Sequence, residues 1–230
     1  MLAQAVFDCG MALANMIPQF QVEKPIYKHL CKAAAERVMQ RCEVLAAVSE
    51  SSDYIERTYL SDSHKRANAI VEGWLAEAKT EHWQDAVGNV WGRLPGLNAD
   101  AKTLIVGSHL DTIVDAGKYD GILGVLMAVE LLCLLRSQGI VLPCNLDVVG
   151  FCDEEGVRFG ATLLGSHAIA DRWKDDWLNL TDVDGVSIAE AMASFGLDST
   201  KVSDAAKPPE NLVGYLEVHI EQGPVLDRAN

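Results

Sequence analysis

Two short apolar runs on either side of a long apolar helix narrow the fold of this chain more than any other feature. Thr103-Leu-Ile-Val-Gly107 and Asn145-Leu-Asp-Val-Val-Gly-Phe151 have the length and branched side chains of strands buried on both faces. Between them, Gly121 to Arg136 is apolar almost all round, which predicts a helix covered on more than one side. Parallel neighbours in a sheet need a crossover connection of a dozen residues or more, and this helix supplies one. A further helix is predicted over Thr162–Ala170 and a third strand over Val213–Val218. Strand, helix, strand, helix is the order of an α/β fold, here a mostly parallel sheet covered on both faces.

The flanking segments fit around that unit. Val38, Cys42, Leu45 and Ala46 recur at helical spacing and predict a helix from Lys32 to Ser49. A second helix is predicted from Ser61 to Lys79, with Ser61 as its N-cap. Trp83 to Leu94 alternates around Gly88-Asn89, as a strand or hairpin would. The polar stretch from Asp171 to Glu210, broken at Lys207-Pro-Pro209, reads as a surface excursion carrying one short helix near Ile188–Phe195. Residues 1–30, with weak periodicity and two prolines, read as a poorly specified leader, and residues 31–230 as the folded unit.

Composition excludes several classes of function. With 19 lysines and arginines against 33 acids, the formal net charge is −14. Nucleic acids and anionic membranes need clustered positive charge, so neither is expected as a partner, and cations are. The longest apolar stretch, Gly121 to Leu135, contains Glu130 and falls short of the roughly 20 residues a span requires. The first residues lack a basic n-region and carry Asp8, unlike a secretory signal. The 6 cysteines form no CxxC pair and read as free thiols of a reducing compartment, which places the chain in the cytoplasm.

Ligands of open α/β sheets bind beyond the carboxyl ends of the strands, so the residues just after each strand matter most. After the first come Ser108-His-Leu-Asp-Thr112 and Gly117-Lys-Tyr-Asp-Gly121, after the second Cys152-Asp-Glu-Glu-Gly156, and after the third His219-Ile-Glu-Gln-Gly-Pro224. Imidazole and carboxylate thus arrive at one edge from three strand ends, and these are ligands of Zn²⁺ and Mn²⁺. In an extended segment His109 and Asp111 point the same way, so the Asp111 carboxylate could accept a hydrogen bond from the non-ligating nitrogen of His109. Asp120, at the mouth of the long helix, suits either an N-cap or a bridge between two cations. Glu154 and Glu155 repel each other at the end of a buried strand unless a cation sits near. One could ligate while the other takes a proton from the attacking water. His219 is either a core histidine or a ligand, and Gln222 either a substrate contact or part of a plain turn. The chain has no phosphate-binding P-loop, no GxGxxG after a strand and no GxSxG elbow. His29, His64, His82 and His167 read as structural or surface residues.

Taken in order, GSHLDT, GKYDGILGV, GFCDEEGVRFGATLLGS and EVHIEQGPVL resemble the two-metal amidohydrolases of the aminoacylase/carboxypeptidase (M20-like) superfamily. The closer resemblance is to the branch of allantoate amidohydrolase and N-carbamoyl-L-amino-acid hydrolase, with YLSDSHKRAN and DAVGNVWGRLPG adding to it. It covers roughly Cys42 to Asn230. It implies a three-layer αβα metallopeptidase-like catalytic domain holding two divalent ions, zinc or manganese, with cobalt or nickel as further options. His109, Asp120 and His219 would hold one ion, and Asp120 would bridge to a second bound also by Glu155. Glu154 would be the general base and later proton donor, Asp111 the partner of His109, and Gln222 a substrate contact. Histidine at position 219, where peptidase-like relatives place an acid, points to a small-molecule ureido or carbamoyl substrate. Allantoate, giving ureidoglycine, ammonia and carbon dioxide, is the first expectation, and N-carbamoyl-L-amino acids are the alternative.

The resemblance also implies what this chain does not contain. Relatives continue into a lid domain through which they form homodimers, and then return with a last histidine for the second metal. The chain is therefore expected to be a C-terminally truncated catalytic domain, inactive or nearly so by itself, with an exposed apolar sheet edge. A non-catalytic remnant that kept the fold as a metal-binding module is the competing reading.

Overall fold

The computed structural model describes residues 24–229. The leader expected over residues 1–30 lies outside the described residues up to position 23, as does Cys9. The first helix, α1 (Lys24–Ala46), begins ahead of the expected Lys32, with Pro25 in its first turn, where a missing N–H costs nothing. It is followed by α2 (Asp62–Glu77), β1 (Glu81–Gln84), β2 (Val90–Leu94), β3 (Thr103–His109), α3 (Ile122–Ser137), β4 (Asn145–Phe151), α4 (Leu164–Ile169), α5 (Ile188–Phe195), β5 (Leu212–Leu216) and α6 (Val225–Ala229). Three short 3₁₀ segments, Asp175–Asn179, Ser199–Ala205 and Pro209–Asn211, lie between α4 and β5.

The strands form one five-stranded sheet in the order β1-β2-β4-β3-β5. β3 pairs in parallel with both β4 and β5, so the part of the sheet that carries the strand ends of interest is parallel as expected. The other end is antiparallel, because a loop as short as Asp85–Asn89 can only return the chain beside itself. Asp85 builds that loop. Its carboxylate accepts the backbone N–H of Val87, Gly88 and Asn89 and the indole N–H of Trp91, which lets a buried acid persist.

Strand alternation sends side chains to two cores. Leu104 and Val106 meet α1, α2 and α3 on one face, whereas Ile105 packs with Trp91, Val149 and Ile169 on the other. α3 is apolar all round because the sheet lies beneath it and α1 lies across it. Its one buried charge, Glu130, receives hydrogen bonds from Arg37 and Arg41 of α1. Ser61 caps α2 by accepting the His64 N–H, as its position in the sequence predicts.

The stretch 171–210 is not the surface excursion expected of it. Ile188, Ala191, Met192 and Phe195 of α5, together with Val202 and Ala205, bury themselves against Tyr59, Leu60, Val87, Cys152 and Leu164 as a second core. The polar composition of the stretch concealed an apolar face at helical spacing within it. The cysteines among the described residues are free thiols, and no helix among those residues is long and apolar enough to cross a membrane.

Candidate metal centre

His109 ends β3, and the sheet register carries it alongside Phe151 at the end of β4. Leu110 N–H still donates to Phe151 O, and the chain then turns. The turn brings the carbonyl of Asp111 to the His109 ring, where it accepts from Nδ1 at 2.9 Å. The nearest Asp111 carboxylate oxygen is 3.8 Å from that nitrogen. The side-chain bond expected between His109 and Asp111 is thus replaced by one to the backbone. The freed carboxylate reaches across to the next strand end and accepts the N–H of Glu154 at 3.0 Å and of Glu155 at 3.1 Å. Asp111 therefore ties the two acid-bearing loops together.

His219 follows β5 and is brought in by a close backbone approach. Val218 O lies 2.1 Å from where a Cβ on Gly124 would stand, so only glycine in α3 lets the segment pass. Its Nδ1 donates to Ile220 O at 2.9 Å. With both Nδ1 atoms turned to carbonyls, a neutral ring offers its Nε2 lone pair, and the two Nε2 atoms face each other at 3.4 Å. Asp120 Oδ1 completes a triangle, 3.2 Å from His219 Nε2 and 4.0 Å from His109 Nε2. Asp120 does not cap α3: the cap position belongs to Gly121, which makes no side-chain cap bond.

Two imidazole nitrogens and a carboxylate oxygen converging on one point are donor types that a divalent cation takes. Ligands about 2.05 Å from a tetrahedral Zn²⁺ stand about 3.3 Å apart, which the 3.2 and 3.4 Å sides match and the 4.0 Å side exceeds. A second group shares His109, with Glu154 and Glu155 inside the same 4.8 Å reach. Glu154 Oε2 lies 4.0 Å from His109 Nε2. The two groups together bring in every ligand candidate named from the sequence. Gln222 stands beside the first group on the border of the cleft, its amide N–H donating to both oxygens of Asp120 at 2.9 Å.

Electrostatics favour the same reading. Burial raises the pKa of Asp111. Burial, then the neighbouring Glu154, Asp120 and Asp111, raises that of Glu155 against the pull of His109. Asp153 is pushed up to about 8 by burial, Asp111 and Glu154, and neither of its buried oxygens has a partner. Among the described residues no lysine or arginine forms an ion pair with Asp111, Asp120, Glu154 or Glu155. The centre opens into a cleft of about 900 Å³ bordered by Glu154, Glu155, His219, Gln222 and Tyr215.

The family profile of peptidase family M28 matches residues 89–220, the stretch that contains all of these side chains except Gln222. The chain belongs to that family. Among curated proteins it is similar to allantoate deiminase of Arabidopsis thaliana, 39% identical over 196 residues that make up 84% of this chain and 37% of the relative. It is equally similar to an N-carbamoyl-L-amino acid amidohydrolase of Geobacillus stearothermophilus, 40% identical over 195 residues, 84% of this chain and 48% of that protein. Among solved structures it resembles a hydantoinase/carbamoylase family amidase from Burkholderia ambifaria, with a TM-score of 0.77 and 32% identity over 84% of this chain and 47% of that one. The chain thus spans less than half the length of these relatives. The M28 match, these relatives and the grouped donors support divalent metal use.

Two contributors to the centre carried no recognised signal in the sequence. Glu217 is held by Ser108 Oγ at 2.6 Å and by Tyr215 OH at 2.9 Å, which ties the end of β5 to β3 just ahead of His219. The other is Arg57, far back in the chain.

Proposed function

We propose that this chain provides the metal-binding half of a hydrolase that cleaves a ureido or carbamoyl C–N bond, with allantoate as the substrate. The observation that carries the reading is the convergence of His109 Nε2, His219 Nε2 and Asp120 Oδ1, with 3.4 Å between the imidazoles and 3.2 and 4.0 Å from them to the carboxylate, a donor set for a divalent ion. Two imidazoles and a carboxylate suit zinc or manganese, with cobalt or nickel as alternatives. In this reading His109, Asp120 and His219 hold one ion, and Asp120 and Glu155 belong to a second. Bound ions supply a nucleophile from water at neutral pH and polarise the carbonyl oxygen under attack.

The chain's own residues do the rest. Glu154, tethered through its backbone to Asp111, removes a proton from the attacking water and returns one to the leaving nitrogen. Asp111 holds the loop of the base against the loop of the ligand, through its carboxylate on one side and its carbonyl on the other. Gln222 orients Asp120 and stands at the edge of the cleft, where its amide meets substrate. Residues 31–230 form the N-terminal part of a catalytic domain in this reading, acting in the cytoplasm, and the complete protein forms homodimers. The similarity to an N-carbamoyl-L-amino acid amidohydrolase, as high as that to the allantoate deiminase, keeps N-carbamoyl-L-amino acids as the second substrate class.

The test is a titration with Zn²⁺ and Mn²⁺ of wild type, His109→Ala and Glu154→Gln. Wild type and Glu154→Gln should bind an ion, and His109→Ala should lose it. Ammonia release from allantoate and from an N-carbamoyl-L-amino acid, assayed in parallel, then separates the substrates. With three donors assigned to one ion and only Asp120 and Glu155 to the other, the 230 residues alone should show at most trace turnover. A wild-type chain that binds no divalent ion, or a His109→Ala chain that binds it equally well, sinks the proposal.

A further inference from the structure

Arg57 lies in the connection between α1 and α2 and is wholly buried. Arginine is rarely buried without an acidic partner, because an unpaired charge is costly to remove from water. Here the guanidinium donates only to backbone carbonyls: Nε to Leu110 O at 2.7 Å, and one terminal nitrogen to Leu45 O at 2.9 Å and Val48 O at 2.6 Å. Burial lowers its pKa to about 10, so it remains charged at neutral pH. The same residue grips the loop a second way. Its N–H donates to Thr112 Oγ1 at 2.9 Å, and its carbonyl accepts the Thr112 N–H at 3.0 Å.

Leu110 is the residue between His109 and Asp111. Holding its carbonyl sets the plane of the peptide that leads into Asp111. The next carbonyl along is the one that receives His109 Nδ1, and the next side chain is the one that receives the N–H groups of Glu154 and Glu155. Rotation of the 110–111 peptide would move both contacts at once. The buried guanidinium also offsets the negative charge of the nearby Asp111 carboxylate.

We propose that Arg57 is a positioning residue of the metal centre, holding residues 110–112 so that the His109 ring and the Glu154–Glu155 turn are set before an ion arrives. This rests on the metal-centre reading above. Arg57→Lys keeps the charge but has no planar fork to reach carbonyls of two separate segments. It should weaken Co²⁺ binding 10–100-fold, the range for partners of metal ligands, and change the visible absorption of the Co²⁺-loaded protein.

Because Arg57 also caps the end of α1, a purely structural role must be separated. Leu45→Ala opens a cavity at the same helix end while keeping the Leu45 carbonyl, so it should lower the urea midpoint at least as far as Arg57→Lys. Its Co²⁺ affinity should stay within about twofold of wild type. Equal loss of affinity in the two variants, or Arg57→Lys binding as wild type does, overturns the proposal. If Arg57→Lys does not fold, Thr112→Val decides: it removes one of the contacts to residue 57, and unchanged Co²⁺ affinity and spectrum overturn the proposal. A wild-type chain that binds no Co²⁺ defeats the metal-centre reading itself, a different result from wild-type binding indifferent to position 57.

Discussion

At the scale of single residues, the centre is made by small departures from regular structure. Gly121 adopts φ +67°, and a Cβ there would stand 2.5 Å from ring atoms of His109, so the histidine occupies space that only glycine leaves free. His64 is a different case. Leu60 N–H donates to its Nδ1 at 3.1 Å, its Nε2 is buried without a partner, and burial lowers its pKa to about 3. A ring that stays neutral when folded but protonates near pH 6.5 when unfolded contributes stability that is complete above that pH. That contribution declines as pH falls from there toward 3. Between pH 7 and pH 5 wild type should lose about 2 kcal/mol more than His64→Asn in urea unfolding. Parallel acid limbs for the two proteins would refute this. The candidate ligands were legible because their types cluster after apolar runs. Which atom of Asp111 meets His109 was not, since the carbonyl and carboxylate of one residue are indistinguishable until the loop turns.

At the scale of elements, periodicity located nearly everything. β4 spans Asn145–Phe151 and α5 spans Ile188–Phe195, as the apolar pattern predicts, because buried strands and amphipathic helices announce themselves locally. The error was to weigh the 171–210 stretch by average polarity. Ser187 and Glu190 form a capping box that starts α5, and its apolar face then completes a core that also holds Val87 and Cys152. Met192→Ala should therefore cost about 2–4 kcal/mol, a core penalty, in urea unfolding. A loss below about 0.5 kcal/mol, ordinary for a surface position, would return the stretch to the periphery.

At the scale of the whole molecule, β5 is the terminal strand of the sheet among the described residues, and Val213, Tyr215 and Leu216 stand 58%, 44% and 56% exposed. An unpaired apolar edge recruits other strands. The 230-residue chain should associate in a concentration-dependent way that Val213→Lys reduces, read by sedimentation velocity. A monodisperse wild-type monomer at all concentrations tested would contradict it. The net charge of −14 sharpens at the same scale: Asp111, Asp120, Glu154 and Glu155 are gathered around one centre, and the remaining acids lie elsewhere in the chain.

The sequence by itself determined the order of strands and helices and which side-chain chemistry stands at each strand end. Both follow from short-range periodicity and from burying apolar runs. Tertiary structure alone decided which imidazole nitrogens face one another, that Asp111 bonds to the Glu154–Glu155 turn, and that Arg57 grips the loop at Leu110. Those outcomes depend on hydrogen-bond geometry between segments distant in the chain, where a rotation of one peptide exchanges one partner for another. No local pattern of residue types encodes that choice.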